Sequence, residues 1–327
     1  MELQSIEKTF SNSFTVARGV WGHKDTFVNF YIIKDETSGA YALVDAGLKW
    51  SAGTIKKMAK EIIGENGRPS AIILTHGHFD HVGALKNLAE EWDVPVYAHP
   101  LELPYITGKS SYPPPDPSVG GGAMASMSFL YPRGPIDVSE YVEKLPDNNS
   151  IPGFPEWKYV HTPGHTPGHI SLYRENDKVL IAGDAFVTTK AESAIFALSG
   201  MSALSGPPKY LTPNWAAAKM SVMKLAALDA EIVATGHGKP MQGEEMRLEL
   251  NNLSRHFDKL AVPSSGRYVN EPALANENGV LSIPPAVENV PMVVKTVAVA
   301  LGLLTIGFIA YQQVKRVRET ESTLELA

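Results

Sequence analysis

The sequence predicts an α/β layered fold, and three observations carry that expectation. Short runs rich in β-branched and aromatic residues alternate with segments of helical periodicity, giving strand, helix, strand, helix, strand across residues 41–98. The chain has 327 residues, 44% hydrophobic and 20% charged, which is enough apolar material for one large core or two ordinary ones. Every cluster of chemically active side chains follows directly after a predicted strand, which is where layered α/β folds place their chemistry.

Phe14 to Ala17, Phe27 to Ile33 and Tyr41 to Val44 read as strands, with Glu36-Thr37-Ser38-Gly39 as the turn between the last two. Thr54 to Ile63 reads as a helix, because Ile55, Met58, Ala59, Ile62 and Ile63 share one face, and Gly64 ends it. Ala71 to Leu74 is a short buried strand, Gly83 to Trp92 a second helix, and Val94 to Ala98 the strand after it. The pattern then breaks. Residues 104–135 contain Pro113-Pro114-Pro115, Gly120-Gly121-Gly122 and exposed-looking Met124, Met127, Phe129, Leu130 and Tyr131. A loop this long is expected to cover a site and set its specificity.

Strands resume at Trp157 to His161, Ile170 to Tyr173 and Val179 to Ala182. Thr212-Pro213-Asn214 opens a helix running to about Leu228, with Thr212 as the expected cap. Ile232 to Thr235 is a strand and Glu244 to Leu260 the last helix of a catalytic domain expected over 1–262.

Residues 263–291 are rich in Pro, Asn and Glu and read as a linker. Thr296 to Tyr311 is apolar all the way round; with Val293, Val294 and a snorkelling Lys295 it reaches about 19 residues, close to the ~20 that cross a bilayer. A transmembrane helix is therefore expected over 292–312, with a charged tail at 313–327. Lys315, Arg316 and Arg318 follow the run, and the positive-inside tendency would place them in the cytoplasm and the catalytic domain outside, but export of the whole catalytic domain ahead of the hydrophobic segment is hard without an N-terminal signal. Met1 to Phe10 has no basic start and apolar run, so no secretory signal is expected. The expectation is a single-pass C-terminal anchor with a cytoplasmic catalytic domain and the membrane as a partner.

The net charge is -6, which weighs against nucleic acid as a partner. There is no cysteine, so disulfides, thiolate ligands and a Cys nucleophile are excluded. Any metal must sit on His, Asp or Glu.

The chemistry concentrates in His76-Gly77-His78-Phe79-Asp80-His81, at the end of the strand Ala71 to Leu74. A lone loop histidine is usually a solvated residue. Three imidazoles and a carboxylate this close gain little from one another without a cation, and neutral imidazole with carboxylate suits Zn, Fe or Mn. His165 in Thr162-Pro163-Gly164-His165-Thr166-Pro167-Gly168-His169, Asp184 after Val179 to Ala182, and His237 after Ile232 to Thr235 occupy matching positions, each with glycine beside it. Their shared placement predicts that they converge.

The pattern His76-x-His78-x-Asp80-His81, then His165, Asp184 and His237, resembles the metallo-β-lactamase superfamily over roughly residues 14–262, and Leu43-Val44-Asp45-Ala46-Gly47 also fits. The resemblance implies an αββα sandwich of two mixed sheets with a binuclear site at one edge. It implies His76, His78 and His165 on one metal, Asp80, His81 and His237 on the other, and Asp184 bridging. Two Zn(II) ions are the expected cofactors, with Fe or Mn as alternatives. Two cations sharing a water lower its pKa toward ~7, so a small ester, lactone or thioester is the expected substrate and Asp80 the expected catalytic proton acceptor. Asp45 is the expected partner of a ligand histidine, and His169 is expected to support the site rather than ligate. His99 is expected to be structural, and His23, His161 and His256 carry no signal.

Within the superfamily, His78 departs from the Glu of flavodiiron reductases, and the lack of Cys departs from lactamases that use it as a ligand. The Thr162 to His169 stretch is similar to that of glyoxalase II-like thioesterases, although the helix bearing Arg247, Arg255 and Lys259 is a poor match for their basic cluster. Lactonase-like members are the neighbouring possibility, with Tyr105, Tyr112, Tyr131 or Tyr210 near the substrate. A mononuclear-iron persulfide dioxygenase and a membrane-tethered, non-catalytic metal-binding protein are the competing readings. The oligomeric state is left open.

Overall fold

In a β-strand alternate residues face opposite sides, and here both sides are apolar. Ile32, Leu43, Ile72 and Val96 point one way, while Tyr31, Ile33, Ala42, Val44, Ala71, Ile73 and Tyr97 point the other. A sheet built from such strands must be covered on both faces. The computed structural model, which describes residues 12–65, 67–191 and 202–287, shows how.

Strands β1 (Ser13–Ala17), β2 (Val20–Asp25), β3 (Val28–Lys34), β4 (Tyr41–Val44), β5 (Ala71–Ile73), β6 (Val96–Ala98) and β7 (Val142–Lys144) form a seven-stranded sheet in sequence order. β1 to β4 pair antiparallel, and β4 to β7 pair parallel. A second sheet has five strands in the order β12-β11-β10-β9-β8, built from β8 (Trp157–His161), β9 (Ile170–Arg174), β10 (Val179–Ile181), β11 (Ile232–Ala234) and β12 (Met241–Gln242). Both sheets are mixed, since β10 and β11 run parallel while β8, β9 and β10 do not.

Helices α1 (Ala52–Ile63) and α2 (Leu85–Trp92) cover the outer face of the first sheet. α3 (Trp215–Ala226) and α4 (Gly243–Arg255) cover that of the second, against Leu180, Phe186 and Val233. Between the sheets lies an apolar slab that includes Tyr31, Val44, Ile73, Phe154, Trp157, Leu172 and Ile181, each almost fully buried. The order of layers is helix, sheet, sheet, helix.

Three strands arise where the sequence shows no strand pattern. β2 contains Gly22, His23, Lys24 and Asp25, β7 is a half-exposed Val-Glu-Lys, and β12 is two residues long. Each is set by pairing to a neighbour rather than by its own propensity. Helix α3 is capped by Asn214, whose side chain accepts the Ala217 N–H at 3.0 Å, rather than by Thr212. The segment 104–135 holds short helical turns at Leu103–Ile106, Pro117–Val119, Ala123–Ser126 and Ser128–Leu130. Met124 and Met127 are buried there, while Phe129 and Leu130 are exposed.

Residues 263–287, the described part of the expected linker, carry a hairpin of β13 (Leu274–Asn276) and β14 (Gly279–Ser282). They are tied to the long segment: the Arg267 N–H donates to Asp116 Oδ2 at 2.5 Å and the Tyr268 hydroxyl to the Pro114 carbonyl at 2.6 Å. The expected spanning helix 292–312 and tail 313–327 lie outside the described residues, among which no helix is long and apolar enough to cross a membrane.

Candidate metal centre

Five strand ends deliver the site. β4 leads to Asp45, β5 to the stretch His76–His81, the β8–β9 turn carries His165, β10 leads to Asp184, and β11 to His237. The seven expected ligands are all buried, none more than 5% exposed. They form three overlapping groups whose donor atoms lie within 4.8 Å of one another: His76, His78 and His165; His76, His81 and Asp184; and Asp80, His81 and His237. Asp184 is central, with Oδ2 at 3.0 Å from His237 Nε2, 3.4 Å from His165 Nε2 and 3.7 Å from His81 Nε2.

Hydrogen bonds behind the rings fix which nitrogen faces inward. The Thr75 hydroxyl donates to Asp45 Oδ2 at 2.7 Å, so its oxygen accepts from His76 Nδ1 at 3.0 Å. His81 Nδ1 donates to Asp45 Oδ2 at 2.8 Å, and His237 Nδ1 to the Phe27 carbonyl at 2.8 Å. Thr212 donates its proton to the Pro208 carbonyl and so accepts from His165 Nδ1 at 3.4 Å. In these four residues the lone pair is thereby left on Nε2, pointing into the cluster. Asp45 holds the His81 ring directly and the His76 ring through Thr75, and sits at φ 60°, a backbone region that Asp tolerates better than most residues.

His169 accepts the Asp184 N–H at Nε2, 2.9 Å away, and its Nδ1 lies 2.8 Å from the Thr162 hydroxyl. It orients the central carboxylate from outside the cluster. His99 caps the turn at Pro100–Glu102 through Nδ1 and stacks on His161 at 4.0 Å. His23 contacts the Ser13 hydroxyl, and His256 the Asn252 side chain, both away from the cluster.

The residues fit a cation. His76 Nε2, His81 Nε2, Asp80 Oδ1 and Asp184 Oδ1 are buried with no hydrogen-bond partner, and such atoms carry a desolvation cost that a metal ion removes. Burial, then repulsion from neighbouring imidazoles, keeps His76 well below the usual imidazole range, and burial lowers His78 to about 3. Both are therefore neutral and ready to donate. Burial also opposes a proton on His81, but Asp184, Asp45 and Asp80 outweigh it and hold its pKa well above normal. Metal binding at that side displaces a proton.

These features have counterparts in known proteins. The metallo-beta-lactamase superfamily profile matches residues 23–237. The chain belongs to the metallo-beta-lactamase superfamily. It is 45% identical over 248 residues to the probable metallo-hydrolase YflN of Bacillus subtilis (strain 168), covering 76% of this chain and 94% of that one. Its fold is similar to a metallo-beta-lactamase family protein of Thermus thermophilus, with a TM-score of 0.50 and 21% identity over 75% of this chain and 81% of that one. The subclass B3 metallo-beta-lactamase BJP-1 of Bradyrhizobium japonicum gives a TM-score of 0.50 and 18% identity, over 76% and 92% of the two chains. As a superfamily member with this metal-binding His/Asp cluster, the protein is a metallo-hydrolase by family.

One glycine in the superfamily member's cluster is fixed by space. A Cβ on Gly236 would lie 2.0 Å from Asp184 Oδ1 and 2.7 Å from His81 Cε1. Gly236→Ala is expected to push Asp184 aside, lowering metal content and cutting turnover roughly 100-fold, the effect of misplacing a group by about 1 Å. Elemental analysis and kinetics on folded protein check this; unchanged metal content would refute it.

The residue the sequence did not reveal is Glu102. It is 1% exposed, on the turn after β6, and touches both ligand-bearing loops. A lone acid between Leu101 and Leu103 has no local pattern to betray it.

Proposed function

We propose that the protein is a binuclear hydrolase, with zinc the leading metal, that adds water to the acyl carbon of a small ester, lactone or thioester. The observation that carries this is the overlap of the ligand groups. His76 is shared by two groups and His81 by two, with Asp184 among the donors of both sides. Overlap of that kind suits two adjacent ions: His76, His78 and His165 would hold one, Asp80, His81 and His237 the other, and Asp184 would serve both.

When bound, the ions would supply Lewis acidity and a water acid enough to act as a nucleophile near neutral pH. The chain's own residues do the rest. Asp80 Oδ1 is unpaired and its Oδ2 is 3.6 Å from His237 Nε2. With one of these oxygens on the metal, the other would be placed to hold the proton the nucleophile gives up. Asp45, Thr75 and Thr212 keep the imidazoles in one tautomer through turnover.

Apolar side chains packed beside the ligand residues favour an apolar acyl group as substrate. Phe79 packs on Tyr131 at 5.3 Å, Tyr131 on Tyr210 at 5.7 Å, and Phe27 stacks on His237 at 6.1 Å. Met124 and Ala125 of the long segment join Tyr210 in the same apolar cluster, and the Tyr131 hydroxyl is spent on the Met124 carbonyl. Tyr131 thus packs on Phe79 of the ligand loop and Tyr210 on Tyr131, whereas Tyr105 and Tyr112 stack on each other at 3.9 Å, with Tyr112 against His78. The apolar run 296–311 adds the proposal of a membrane tether, which carbonate extraction of membranes would test.

A hydrolysis panel of lactones, thioesters, phosphodiesters and β-lactams, with metal analysis and a His78→Ala control, tests the reading. Expected are two metal equivalents per chain and preference for lactones or thioesters with apolar acyl chains. About one iron, no zinc and no hydrolysis would overturn it in favour of iron dioxygenase chemistry.

A further inference from the structure

The ligands His76, His78 and His165 come from two different loops, and a buried carboxylate lies between those loops. Glu102 Oε2 accepts the Gly77 N–H at 3.0 Å, between His76 and His78. Glu102 Oε1 accepts the Thr166 hydroxyl at 2.7 Å and the Gly168 N–H at 2.8 Å, just after His165. The Tyr112 hydroxyl donates to Oε2, accepts from Gly77 N at 2.9 Å, and its ring packs against His78 at 4.6 Å. Four donors and no acceptor surround the carboxyl, so the ionised form satisfies every partner.

Both loops are shaped to admit it. A Cβ on Gly77 would lie 2.6 Å from the Tyr112 hydroxyl oxygen, and one on Gly168 would lie 2.7 Å from the Glu102 nitrogen. The turn that carries Glu102 meets the His165 loop a second time, where His99 stacks on His161 at 4.0 Å, and His161 Nε2 donates to the Pro167 carbonyl within that loop at 2.9 Å.

We infer that Glu102, braced by Tyr112, is a positioning residue that holds the His76/His78 loop and the His165 loop at the separation their metal requires, and so sets the affinity of that half of the site. The inference rests on the metal-binding reading above, and it is independent of which substrate is hydrolysed. Glutamine is a poor substitute for Glu102: with its NH2 group toward Gly168 it leaves that N–H and the Thr166 hydroxyl without their acceptor, and with NH2 toward Gly77 it sets donor against donor and leaves the Tyr112 hydroxyl as the only acceptor of the Gly77 N–H.

The test is Co(II) titration followed by absorption, on folded full-length chain carrying His237→Ala, so that the His76/His78/His165 group is read with the opposite side weakened. Glu102→Gln is expected to weaken Co(II) binding roughly 10–100-fold and to alter the ligand-field bands, the range for partners that orient metal ligands. Glu102→Asp should recover part of the affinity. If Glu102→Gln does not fold, Tyr112→Phe carries the test, with a smaller loss in the same direction. A lower unfolding midpoint with unchanged Co(II) affinity in the folded protein would mean a purely structural role and overturn the inference. Wild-type protein that binds one equivalent, or hydrolyses nothing, would count against the function proposed above while leaving this comparison of variants readable.

Discussion

Replacing Asp184 with alanine is expected to cost at least roughly 1,000-fold in turnover, the scale of removing a preorganised electrostatic group from an active site. The residue is the hub of the cluster: its Oδ2 lies within 3.7 Å of Nε2 of His81, His165 and His237, and its Oδ1 has no protein partner. Burial resists its ionisation, yet His237 and His81 overcome that and hold its pKa well below the usual carboxylate range. It is therefore held as a carboxylate near neutral pH. Without it, two sets of imidazoles face each other with no anion between them, so metal content should fall below one equivalent per chain. Asp184→Asn keeps one oxygen and the shape but loses the charge, and should retain more metal than alanine while remaining nearly inactive. Elemental analysis beside kinetics decides: a variant holding two ions with wild-type turnover would remove Asp184 from the centre of the scheme.

Chelation should produce the second large effect, on stability. An ion that binds only the folded state adds RT ln(1 + [L]/Kd), about 4 kcal/mol when free metal is 1,000 times Kd. For a domain of this size each kcal/mol moves the midpoint by roughly 2–4 °C. Stripping one such ion is therefore expected to lower Tm by about 8–16 °C, and by more if the site holds the two ions proposed. Four buried ligand atoms lose their only partners in the stripped protein. Differential scanning calorimetry with and without EDTA, repeated after metal is added back, measures it. A shift of less than about 2 °C would mean that the cluster binds metal too weakly to matter in folding.

The residues that gather into the cluster could be read from the sequence because they are local. His76, His78, Asp80 and His81 occupy six consecutive positions after a strand, and His165, Asp184 and His237 each follow one with glycine alongside. Their convergence needed only the rule that layered α/β folds gather strand ends. What stayed hidden is what depends on tertiary pairing. Glu102 has donors from Gly77, Tyr112, Thr166 and Gly168, residues scattered over the chain. Thr212 has the spacing of a helix cap but serves His165 instead, because Asn214 already caps α3. Strand β7 shows no period-2 pattern because it is an exposed edge paired only to β6. The hairpin β13–β14 lies in polar sequence that hydrogen-bonds to Ser110, so its order is borrowed from the long segment.

The division of the ligands between the sheets has a kinetic consequence. His76 to His81 hang from the first sheet, and His165, Asp184 and His237 from the second. Neither sheet alone offers a complete donor set. Tight metal capture must therefore come late in folding, after the apolar slab has closed. The ion then acts as a checkpoint on assembly: it rewards only chains whose two halves have docked, and a nascent chain released before β11 has no His237 with which to pass.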